Sequence, residues 1–297
     1  MGNIKQSPTI YLVLVVRAGY TIIIMMQLER SKFQSHPYHL VDPSPWPISM
    51  SFALLIMAIS AVMYMQGFQF GGYLLNLGTV LVATGMSLWF RDVIVESTYL
   101  GHHTEQVKRG LTLGVALFII SELMAFVSIF WAYFHSSLSP AIEIGASWPP
   151  LGIAALDPLA IPLLNTILLL SSGAFITLAH HALIKGNRRY AILGSILTIL
   201  FAVLFTALQY YEYAEAGFTI ADSVFGTVFY CSTGLHGFHV IVGTLFIAVQ
   251  FYRLLQHHIT KSHHVGMEGA IAYWHFVDVV WLFLYAFVYL WASSGLL

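Results

Sequence analysis

The sequence predicts an all-α membrane protein of seven transmembrane helices, and three observations predict it. Hydrophobic residues make up 58% of the 297 and charged residues only 8%, whereas soluble domains carry about 25% charge. Seven apolar segments follow one another along the chain, each near the roughly 20 residues that cross a bilayer core at about 1.5 Å per residue. Finally, a path of seven crossings puts every lysine and arginine beyond residue 28 on one side of the membrane, as the positive-inside rule requires.

Residues 1–28 stand apart as an N-terminal extension. Their apolar run, 9–28, is broken by Arg17, which a spanning helix would bury near its middle, and no small-residue cleavage site follows it. An interfacial helix or an arm suits the run better than a span. Residues 29–297 are read as one seven-helix domain. It opens on a lead-in, 36–47, that reads HPYHLVDPSPWP. Four prolines in these twelve residues exclude a continuous helix and favour an extended surface segment.

The spans are expected at 48–65, 73–90, 111–134, 162–182, 190–210, 224–251 and 270–291. All ten prolines lie outside them except Pro162, which stands in a first helical turn where a missing N–H does no harm. Arg30, Lys32, Arg91, Lys108, Arg109, Lys185, Arg188, Arg189, Arg253 and Lys261 share the side of the lead-in. The opposite loops, 67–72, 136–161 and 211–223, hold acids but no lysine or arginine. The N-terminus is therefore expected on the positive side and the C-terminus opposite.

The third span, LTLGVALFIISELMAFVSIFWAYF, carries Glu122 at its centre. A carboxylate at that depth costs about 2.5–3.5 kcal/mol on insertion scales. As a buried carboxylate, expected among Phe118, Ile119, Ala125 and Phe126, it must face protein, water or a partner, or hold a proton. Asp278 is a second such acid, and His275, one turn earlier on the same face, is its nearest candidate partner. His236 and His239 share a face in the sixth span at the same spacing, where helix–helix hydrogen bonds are the favoured reading.

Fourteen histidines invite a metal or haem, but the pairs His102–His103, His180–His181, His257–His258 and His263–His264 are sequence neighbours. Adjacent helical side chains do not face each other, so such a pair cannot clamp one ion. Glu-x-x-His is not repeated as di-iron bundles require. Glu212 and Glu215 read as an exposed helix end. Glu96 and His103, near Arg91, Lys108 and Arg109, carry the charges that could hold a zwitterionic lipid head group. Cys231 is the lone cysteine, so an internal disulfide is excluded. A net charge of −1 gives no electrostatic case for nucleic acid.

Motifs in every segment resemble the family of cytochrome c oxidase subunit III. They include His36-Pro37-Tyr38-His39, Trp89-Phe90-Arg91-Asp92-Val93, Gly101-His102-His103-Thr104, Ile119-Ile120-Ser121-Glu122 and Trp131-Ala132-Tyr133-Phe134-His135. Trp148-Pro149-Pro150, Ala179-His180-His181-Ala182, Gly234-Leu235-His236-Gly237-Phe238-His239 and Trp274-His275-Phe276-Val277-Asp278 continue the match to the end. The lead-in is similar to fungal mitochondrial forms.

The resemblance implies helices in a group of two and a group of five with a lipid-filled cleft, in the mitochondrial inner membrane with the positive side in the matrix. It implies no haem, copper or other metal in this chain, those cofactors lying in partner subunits, and it implies bound phospholipids. Catalytic subunit I and the other oxidase subunits are the implied partners, with the small residues Ser171-Ser172-Gly173-Ala174 expected to allow close approach. Glu122 matches the family's carbodiimide-reactive carboxylate; Glu96, His103 and, more loosely, Arg253 match lipid-binding positions. Two rival readings are a stand-alone proton-coupled transporter built on Glu122 and Asp278, and a haem- or metal-binding membrane oxidoreductase.

Overall fold

The computed structural model describes residues 36–293; the extension 1–28 and its apolar run lie outside the described residues. Seven of the described helices are long and apolar enough to cross a membrane. They are α1 (Trp46–Met65), α2 (Gly71–Thr98), α3 (Glu105–Leu138), α4 (Ile161–Lys185), α5 (Arg188–Glu215), α6 (Ser223–Leu255) and α7 (Val265–Phe283), which runs on as a π-helical stretch, Leu284–Trp291. The chain divides into two compact units, one ending at Gly110 and the other beginning at Leu111. The first holds α1 and α2; the second holds most of α3 and all of α4–α7.

In the first unit the lead-in has no regular helix until Trp46, and Pro47 occupies the opening turn of α1. Gly67, at φ 73°, turns the chain toward α2. The two helices then meet backbone to backbone: a Cβ on Gly78 would lie 2.8 Å from Met57 Cα, and one on Gly71 would lie 2.7 Å from Tyr64 N. Small residues let helices in lipid gain contact where no hydrophobic drive separates protein from solvent. Trp46 Nε1 donates to Asp92 Oδ2 at 2.5 Å, fixing the start of α1 to the far end of α2.

The second unit is held by polar bonds inside an apolar core. Trp274 Nε1 donates to Ser172 Oγ at 2.9 Å and Trp281 Nε1 to Thr166 Oγ1 at 2.9 Å, joining α7 to α4. An indole N–H in hydrocarbon needs such an acceptor. Thr198 Oγ1 donates to the Ser172 carbonyl at 3.3 Å, and a Cβ on Gly194 would stand 2.7 Å from the Phe175 carbonyl oxygen, so α5 lies close along α4. This corrects the expectation for Ser171–Ala174. Ser172 and Gly173 are buried against α7, and only Ala174 of the four is exposed. The loop after α3 is pinned by Trp148, which packs edge-on against Tyr133 and Phe225 at 5.5 and 5.4 Å.

The helices outrun the expected spans. α2 continues eight residues past 90, and α3 starts six residues before 111. Hydropathy marks the length of chain that lipid tolerates, whereas a helix ends where its backbone is capped. α2 closes when the Tyr99 N–H bonds the Val95 carbonyl, two residues before Gly101 at φ 64°. α4 closes at Gly186, φ 78°, whose left-handed conformation returns its N–H to the last turn.

Candidate functional site

Glu122 on α3 meets His239 on α6, with Oε2 2.8 Å from Nε2. The other ring nitrogen, Nδ1, donates to the Leu235 carbonyl at 2.8 Å, one helical turn back. That bond assigns the Nδ1 proton. The short contact at Nε2 then requires one further proton between imidazole and carboxyl, carried as a neutral acid facing a neutral ring or as a carboxylate facing an imidazolium. Both arrangements are net neutral, which is how an acid at mid-membrane escapes most of its insertion cost.

Phe126 approaches the His239 ring edge-on at 5.1 Å, and Tyr273 stacks at 6.1 Å. His239 keeps 4% of its side-chain surface, but Glu122 keeps 28%. Glu122 is thus half-buried, a correction to the buried carboxylate expected. Of its expected neighbours Phe118 is 52% exposed and only Phe126 is fully buried. Its partner His239 is legible in the sequence only as a helical-face residue, because the two are 117 positions apart.

His236, one turn before His239, takes a different partner: its Nε2 donates to the Val277 carbonyl at 3.2 Å. Its ring sits 5.0 Å from Trp281 and 5.7 Å from Phe205. His275 Nδ1 lies 3.4 Å from Asp278 Oδ2, and its Nε2 lies 3.1 Å from Thr177 Oγ1. Asp278 is buried; its Oδ2 covers Gly173, where a Cβ would come within 2.3 Å, and its Oδ1 has no hydrogen-bond partner among the described residues. His239 and His275 have both ring nitrogens in polar contacts, whereas His236 Nδ1 is buried with no hydrogen-bond partner among the described residues.

Glu212 departs from expectation. It is not an exposed helix end but 3% exposed, accepting from the Tyr289 hydroxyl at 2.6 Å and from Gln209 Nε2 at 3.1 Å. Asn165 Nδ2 donates in turn to Gln209 Oε1 at 3.4 Å, so the network joins α4, α5 and the π-helical end of α7. Glu215, three residues on, is exposed.

The three lipid-binding candidates fall in different settings. In the first unit, Glu96 Oε2 lies 3.5 Å from His39 Nε2, and His39 packs edge-on against His102 at 4.5 Å. Its partner therefore comes from the lead-in. His103 is half-buried beside them in sequence. Arg91 Nε and Nη2 both donate to Asp92 Oδ1, at 2.9 and 2.7 Å, and Lys108 pairs with Glu105 at 2.7 Å. In the second unit Arg253 is buried, with Nη1 donating to Gln250 Oε1 at 3.2 Å above Gly266. Just beyond α6, burial and the Arg253 charge push the His258 imidazole below its ordinary pKa.

A family model described as cytochrome c oxidase subunit III matches residues 36–293. Among similar proteins, cytochrome c oxidase subunit 3 of Mycosarcoma maydis is 60% identical over 272 residues, covering 90% of this chain and 99% of the relative. That of Podospora anserina is 56% identical over 269 residues, covering 91% and 100%. That of Prototheca wickerhamii is 55% identical over 261 residues, covering 88% and 100%.

Proposed function

The chain belongs to the cytochrome c oxidase subunit III family, and from that premise we propose that it is an accessory core subunit of the haem–copper oxidase. The complex passes electrons from cytochrome c to oxygen and pumps protons. This chain carries no redox centre; haem and copper reside in its partners. The observation that carries the reading is the 60% identity over nearly the whole length of a chain bearing that name. The relatives named above give the transporter reading no support.

Its role is structural and environmental. The exposed apolar surfaces of the helices rest against catalytic subunit I, other subunits and phospholipid in the mitochondrial inner membrane. The lysine- and arginine-bearing loops face the matrix, with the N-terminus there and the C-terminus in the intermembrane space. Glu96 and His103 in one unit and Arg253 in the other hold phospholipid head groups, and the Glu122–His239 pair holds a proton within the bilayer. The helix bundle and its lipids aid the supply of oxygen and protons to the catalytic centre.

Mild detergent extraction followed by native electrophoresis tests this. This chain is expected in a band that contains the catalytic subunit by mass and shows haem absorbance. Migration alone or as a homo-oligomer, free of haem, overturns the reading.

A further inference from the structure

His180, near the end of α4, comes together with His264 and Glu268, which open α7. One ligand atom from each lies within 4.8 Å of the other two. His264 Nε2 is already 3.1 Å from Glu268 Oε1. Ligands on a tetrahedral zinc at about 2.0–2.1 Å stand about 3.3 Å apart, so the His264–Glu268 edge has the right length, and His180, within 4.8 Å of both, completes the set by closing inward.

The chemistry of the donors points the same way. His264 Nδ1 donates to the Thr260 carbonyl at 3.0 Å, which turns the Nε2 lone pair toward Glu268. A carbonyl behind a ligating imidazole is the usual way its tautomer and orientation are fixed. Two acceptors, an imidazole nitrogen and a carboxylate oxygen, then face each other and call for a cation or a proton between them. His180 supplies an independent sign: its Nε2 is buried and has no hydrogen-bond partner among the described residues. A buried ring nitrogen left unbonded is a cost unless something binds it.

We propose that His180, His264 and Glu268 form a site for a borderline divalent cation, zinc above all, that clamps the end of α4 to the start of α7. Two imidazoles and one carboxylate suit zinc rather than calcium or magnesium, which favour all-oxygen sites. Three protein ligands leave a fourth position open. The site lies on the face bearing Lys185, Arg188 and Lys261 and is separate from the Glu122–His239 pair. It does not depend on the oxidase assignment.

The test uses the full chain purified in detergent, stripped with EDTA and dialysed against radioactive zinc chloride. One saturable equivalent is expected. His180→Asn and Glu268→Gln should each weaken it by at least about tenfold, in line with ligand loss, and His257→Asn, in the exposed loop, should not. A second reading needs no variant: zinc should protect His180 and His264 of the wild-type chain from diethyl pyrocarbonate while His257 still reacts. Absence of saturable binding, equal affinity in both ligand variants, or equal modification of all three histidines with and without zinc overturns the proposal and leaves a proton between His264 and Glu268.

Discussion

Glu122 and His239 share one proton across a 2.8 Å contact between α3 and α6, with the Leu235 carbonyl fixing the far side of the ring. The carboxyl is half-buried rather than sealed, which leaves it open to a small neutral reagent. A neutral carbodiimide needs a protonated carboxyl, and Glu122 has a proton at hand. Labelling of Glu122 is therefore expected to outrun that of the exposed acids Glu143 and Glu215, read by peptide mass. Faster labelling of Glu215 sinks the shared-proton account.

His239→Phe keeps an aromatic ring among Phe126 and Tyr273 but leaves the Glu122 carboxyl without its partner. Removing one side of a part-buried pair costs about 1–3 kcal/mol. The measurement is thermal unfolding of the purified complex, and His239→Gln, which can still donate to Glu122, is expected to lose less. Equal stability of His239→Phe and wild type would show the contact to be energetically idle.

The Glu212 network makes a contrast within one turn of helix. Tyr289→Phe removes the hydroxyl that donates to Glu212 at 2.6 Å and leaves that buried oxygen only its bond from Gln209, an expected loss of about 0.5–1.5 kcal/mol. Glu215→Gln, on the exposed side, should stay within about 0.5 kcal/mol. Denaturation of the two variants side by side decides whether Glu212 is a structural keystone or a helix end.

Gly78→Val should separate α1 from α2, since even a Cβ would stand 2.8 Å from Met57 Cα. Overpacking of this kind costs about 1–3 kcal/mol. Gly114→Ala, with nothing within 4 Å of the added atom, is the control. Limited proteolysis of the loop 66–70 should accelerate in the first variant and not in the second.

His258 gives a pH dependence. Burial and the Arg253 charge push its pKa below the ordinary value, so the unfolded chain binds a proton more readily than the folded one. The stability it contributes is present above about pH 6.5, the unfolded histidine value, and is lost as pH falls from there through the lowered folded value. Melting temperatures on either side of that range should show a shallower acid slope in His258→Gln than in wild type. An unchanged slope means the imidazole titrates as it does in water.

Hydropathy and charge alone determined the seven crossings, because lipid imposes a length and a polarity on each segment one residue at a time. The same local logic marked Glu122 and Asp278 as residues needing a partner, and it paired Asp278 with His275 because one helical turn separates them. Only the tertiary structure decided the rest. His239 for Glu122, Tyr289 for Glu212, His39 for Glu96 and Ser172 for Trp274 are partners drawn from distant helices or from the lead-in. Periodicity reports which face of a helix a residue occupies, not which helix will lie against it. That is also why Glu212, beside exposed Glu215 in sequence, reads as solvent-facing, and why the histidine doublets read as harmless. Each doublet is unable to clamp an ion alone, but packing α4 against α7 brings one histidine from each of two doublets to the same point as Glu268.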